Sequence, residues 1–98
     1  MTLSNEIQMF LDSQIEYYTR EAKSYKEMAQ EYNLDYSSIH DATFGIIIGC
    51  IYSSFLLTYT NQNSTPNSQE MEEFTKIIIK NTQKIKTSIV SDDAKDQN

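Results

Sequence analysis

Apolar positions along the first third of the chain recur at a fixed beat. Leu11, Ile15, Tyr18, Ala22, Tyr25, Ala29 and Tyr32 follow one another at spacings of 4-3-4-3-4-3, a seam that only a helix places on one face. Ile7, Phe10, Tyr17 and Met28 widen the stripe toward the breadth of a bundle helix. The pattern predicts a helix over residues 4–33. Asn5 with Gln8 is a possible capping box, and Ser4 a rival cap. Glu16 and Arg20 make a favourable i,i+4 pair. Such a helix is about 40 Å long, longer than a compact domain of this size spans comfortably.

"NLDYSS" breaks the beat, and Ser38 with Asp41 three residues later predicts the cap of a second helix over 39–61. The polar run "TNQNSTPNSQ" follows and holds the only proline, which makes it the main loop. Thr65 as cap and Pro66 in the first turn predict a third helix over 66–90. On it Met71, Phe74, Ile78, Ile85 and Ile89 share a face that Ile77 and Ile79 broaden. Glu70, Glu72 and Glu73 near its start and Lys80, Lys84 and Lys86 near its end complement the helix dipole. Residues 91–98 have Ala94 as their only apolar residue and are expected to form a disordered acidic tail. The fold class is therefore all-α, an antiparallel bundle of three long helices in a single domain over 1–90.

The second helix is different in kind. From 42 to 59 it is apolar almost all round, close to the lower limit for crossing a bilayer. Gly45, Gly49 and Ser53 form a small-residue row of the sort that lets helices approach closely in membranes. Three observations favour protein around it over lipid. Eight of these 18 residues are Leu, Ile or Phe, against two Gly, two Ser, two Thr and two Tyr. No Lys or Arg falls between Lys26 and Lys76 to anchor a span at either end. The other two helices each carry an apolar face that needs a mate. Three helices of one chain leave part of the middle one open, which predicts a homodimer built around it. Gly45, Gly49, Ser53, Tyr52, Ile51 and Phe55 are the expected residues of that interface or of a helix crossing. Each glycine could equally relieve a tight contact within the chain.

Composition narrows the function without naming it. A net charge of −6 and a pI near 4.6 disfavour nucleic acid as a partner. The lysines of "KIIIKNTQKIK" read as a solvated helix face. The single cysteine, Cys50, excludes an intrachain disulfide and reads as a small buried hydrophobe. With no secretory leader pattern at the start, the cytoplasm is the expected compartment. Glu70-x-x-Glu73 is a possible metal pair, and Asp35, His40 and Asp41 with Glu31 a possible ligand cluster. Helix-start carboxylates are more commonly dipole partners and caps, so neither a metal nor a cofactor is inferred. No phosphate loop, nucleophile elbow or zinc spacing occurs, and no catalysis is expected. Tyr18, Tyr25, Tyr32 and Tyr59 remain as an aromatic contact surface, with a boundary layer of the core as the plainer role. The function that follows is a self-associating interaction or scaffold domain, with docking of a partner helix as a variant. A membrane subunit with 42–60 in the bilayer is the alternative, and a ligand- or metal-binding bundle the weaker one.

Overall fold

The computed structural model describes the backbone of residues 3–32 and 35–96, and the side chains of all of these except 36, 37 and 92–96. The described chain is helical in four elements: α1 (Asn5–Arg20), α2 (Ala22–Gln30), α3 (Tyr36–Thr60) and α4 (Ser68–Asp96). The all-α expectation holds, but the count of three does not. The segment expected to be one helix divides at Glu21, whose φ of −100° and ψ of 17° leave the helical region. The break is local. Glu21 still donates its backbone N–H to the Tyr17 carbonyl at 2.9 Å, and Ser24 donates to the Glu21 carbonyl at 3.0 Å.

Ser4 is the cap of α1, its hydroxyl accepting the Ile7 amide at 3.2 Å. The α3 start lies earlier than Ser38 suggested, with Asp35 as N-cap. At α4 the cap is Asn67 rather than Thr65. Its side-chain oxygen accepts the Glu70 amide at 2.8 Å while Glu70 accepts the Asn67 amide at 2.9 Å, a reciprocal capping box. With no Gly or Pro after Pro66, α4 runs on to Asp96, over most of the stretch expected to be a tail. The expected first-helix end at Asn33 and the last two tail residues lie outside the described residues.

Long-range contacts fix the directions. The Leu3 amide donates to Glu73 at 3.1 Å, and Lys84 pairs with Glu16 at 2.8 Å, so α1 and α4 run the same way. Phe44 near the α3 start meets Lys86 late in α4, and Tyr59 near the α3 end meets Glu70 early in α4, so α3 runs against both. The bundle is elongated, 45 × 22 × 18 Å. Its core draws on every helix: Leu11 and Ile15 from α1, Ala22 from α2, Ile47, Ile51 and Phe55 from α3, and Phe74, Ile85 and Ile89 from α4. Phe55 and Phe74 stack at its centre, ring centroids 4.5 Å apart, a geometry that adds to simple burial.

Candidate functional site

The residues of α3 that face inward are Ile39, Thr43, Ile47, Ile51, Phe55 and Tyr59, one every four positions and all buried. Thr43 is the only hydroxyl among the first five, and it donates within its own helix to the Ile39 carbonyl at 2.6 Å, so no polar atom is stranded. Two residues away from each of these, and about half a turn round the helix, runs a second row: Gly45, Gly49, Ser53 and Leu57. This row faces out and is exposed, Leu57 to 56 %. A Cβ placed on Gly45 or Gly49 would have nothing within 4 Å. The glycines therefore relieve no tight contact inside this chain. Only 28 % of the apolar stretch of α3 is buried.

Ile51 and Phe55 sit in the core at the crossing with α4, while Gly45, Gly49, Ser53 and Tyr52 lie on the exposed side. Tyr52 bridges the two, 39 % exposed and with its ring 5.6 Å from Phe74. A shallow groove of about 310 Å³ follows the outer surface of α3 along Ser53, Ser54, Leu56, Leu57 and Thr60. Its polarity is muted, since Thr60 turns its hydroxyl back to the Leu56 carbonyl at 3.2 Å.

One rim of α4 extends this surface. Lys86 holds its ammonium 5.5 Å from the centre of the Phe44 ring, which places that side of α4 next to α3. Ile79 and Glu72 lie seven and fourteen residues earlier on the same stripe. Ile79 is 67 % exposed, and Val90, one turn beyond Lys86, 53 %. From the sequence Ile79 passed for part of the inward face. It lies outside the 74/78/85/89 stripe, and that offset was the available signal. The combined face is apolar along its middle and charged at its two ends, by Glu72 with Lys76 at 3.4 Å and by Lys86.

The four tyrosines do not make one surface. Tyr18 and Tyr25 meet with centroids 5.2 Å apart, beside the half-buried Cys50. Burial first, then the neighbouring Cys50 and Tyr25, push the Tyr18 hydroxyl up to about 12. Burial, with Tyr17 next, raises Tyr25 as well. Tyr32 is 69 % exposed and stands apart. Tyr59 is buried at the far end of the bundle and donates to Glu70 at 2.7 Å; burial and that carboxylate raise it too.

The acidic candidates are also separated. Glu70 is shared between the α4 cap and Tyr59, and Glu73 accepts the Leu3 amide. Asp35 stands at the N-cap position of α3 without a side-chain capping bond, whereas His40 and Asp41 border a cleft of about 140 Å³ with Phe44, Lys86, Ile89 and Val90. Among the described residues no three His, Cys, Asp or Glu side chains gather as a metal site would need. Lys26, on the α2 stripe with Ala22 and Ala29, is 1 % exposed, its aliphatic stem serving the core. No protein-family model, no curated protein and no solved structure matches this chain.

Proposed function

We propose that this chain is a small helical interaction domain that associates with itself through the exposed face of α3. One observation carries the proposal. Two glycines inside a helix cost about 1 kcal/mol each relative to alanine, and neither has a neighbour in its own chain that would require it. A surface that stays narrow at that expense is suited to a close approach from outside. Leu57, Tyr52, Ile79 and Val90 around it supply the apolar area that association removes from water. Light scattering across micromolar concentrations tests this, with twice the 11.4 kDa chain mass expected. A single-chain mass at 100 µM would refute it.

A second reading, insertion of residues 42–60 in a bilayer, draws on one observation. The helix over 38–60 is long and apolar enough to cross one. Against it, Ile47, Ile51 and Phe55 of the same helix are wholly buried among α1, α2 and α4, so insertion would have to dismantle the core. Recovery of the protein with floated vesicles, and not in the detergent-free supernatant, would favour this reading over self-association. No catalytic step is assigned.

A further inference from the structure

The exposed face has a built-in register, and it selects one way for two copies to meet. Resting on the self-association proposed above, we infer that two chains pack this face on itself in antiparallel fashion, with α3 crossing α3 and α4 beside α4. The two-fold axis then passes level with Ile51 and Ile79.

On α3 the exposed row is Gly45, Gly49, Ser53 and Leu57, whose midpoint is level with Ile51. Reversing the row about that midpoint sets Leu57 over Gly45 of the second copy and Ser53 over its Gly49. The one large side chain of the row thus meets the bare backbone of the other helix, a knob facing a hole. On α4 the rim is Glu72, Ile79 and Lys86. Reversal about Ile79 sets Ile79 against its own copy and Glu72 against Lys86. A single axis can do both only if residues 51 and 79 are level in the bundle. Phe44 contacts Lys86; seven residues on from Phe44 is Ile51, and seven back from Lys86 is Ile79. Independently, Tyr59 meets Glu70 and Phe55 meets Phe74, which continues the same alignment to within a residue. The two midpoints coincide.

Charge distinguishes this from the other two-fold arrangement, in which the axis runs along the helices. That alternative lays α4 of one copy on α3 of the other without reversing it. Lys86 would then face the start of the α3 row, where Asp41 lies one turn before Gly45, but Glu72 would face the Leu57 end with no opposite charge across it. The antiparallel form gives Glu72 and Lys86 each a partner, twice over by symmetry. Both are free to turn toward it. Among the described residues Glu72 is engaged by an exposed contact to Lys76, and Lys86 lies over a ring at the surface. The size is also sufficient. Two adjacent helices over five to six turns present roughly 30 by 20 Å, approaching the ~800 Å² per partner of a standard interface. Lipid does not suit the same face, since Glu72, Lys76 and Lys86 would have to enter it with α4.

Charge exchange tests the arrangement. Glu72→Lys and Lys86→Glu should each weaken the dimer about tenfold by bringing like charges together at both ends, and the double variant should return it to within about threefold of the parent. A spin label at Thr60, in a Cys50→Ala chain, should report a separation of about 27 Å along the axis in the antiparallel dimer against about 10 Å in the parallel one. A dimer that persists with the short label distance, or whose double variant is no better than the singles, would overturn this arrangement while leaving self-association intact. A single-chain mass for the parent at every concentration would remove both.

Discussion

Replacing Gly45 and Gly49 by alanine separates the cost of these residues to one chain from their use between chains. In the isolated bundle each added methyl would stand in open space, so only helix propensity acts on the fold. Alanine is better than glycine by about 0.8–1.0 kcal/mol at a helix interior, and both positions lie well inside the 25-residue α3. The double variant should gain about 1.6–2 kcal/mol, which for a domain of this length raises Tm by roughly 10 °C. At the proposed crossing the same methyl at Gly45 would occupy the space that receives Leu57, and the two copies would be held apart. Overpacking of this kind commonly costs 1–3 kcal/mol, a weakening of tenfold or more in Kd. A Leu57→Glu background puts a charge where the proposed dimer seats Leu57 against Gly45 of the second copy and keeps the chain single. On that background, thermal unfolding followed by circular dichroism isolates the propensity gain. Light scattering of the double alanine variant with Leu57 intact reads the loss of dimer. A Tm that falls on the monomeric background would mean that the glycines are already covered within the chain, and the basis for the interface would go with it.

Three further outcomes follow from the bundle and its surface. Tyr59→Phe removes the 2.7 Å hydrogen bond to Glu70 and should lower stability by about 1.5–3 kcal/mol, the range for bonds to charged groups, read as a shift of the urea midpoint. Tyr18, Tyr25 and Tyr59 all hold their protons more tightly in the folded chain than the usual value of 10. The unfolded chain therefore loses protons first as pH rises. Stability is full below pH 10 and declines from there toward 12, where Tyr18 titrates; absorbance at 295 nm should show tyrosinate appearing in step with unfolding. The charge-exchange pair Glu72→Lys and Lys86→Glu should restore association together after each weakens it alone, as sizing at matched concentrations would show.

Much of this architecture can be read from residue spacing. The seam of the first segment reappears as burial at Leu11, Ile15, Ala22 and Ala29, with Tyr18 and Tyr25 half-buried. It fails at Tyr32, which lies past the last turn of α2 and is 69 % exposed. The break at Glu21 leaves no trace in the pattern, because the apolar beat continues through it from Tyr18 to Ala22 and the residue is neither Gly nor Pro. Lys26 shares the stripe of Ala22 and Ala29 and is buried there, yet a lysine weighs against burial in any reading by residue type. The α4 start was misplaced because Thr65–Pro66 is a common cap and first turn, whereas Asn67 with Glu70 closes the capping box. The apolar character of α3 was plain, but which of its sides stays open depends on where α1, α2 and α4 are laid, and spacing within one helix carries no such information.

The Glu70 carboxylate has a consequence for how the chain reaches this state. One oxygen ends the α4 cap while the other ties down Tyr59, eleven residues back, so the turn between α3 and α4 is clasped by groups that are near neighbours in sequence. Closing so short a loop loses little chain entropy, and the Phe55–Phe74 stack lies directly above it. The tie between Leu3 and Glu73, by contrast, spans 70 positions. The α3–α4 hairpin is thus held together by contacts that close a short loop, whereas α1 is tied to α4 only across long stretches of chain.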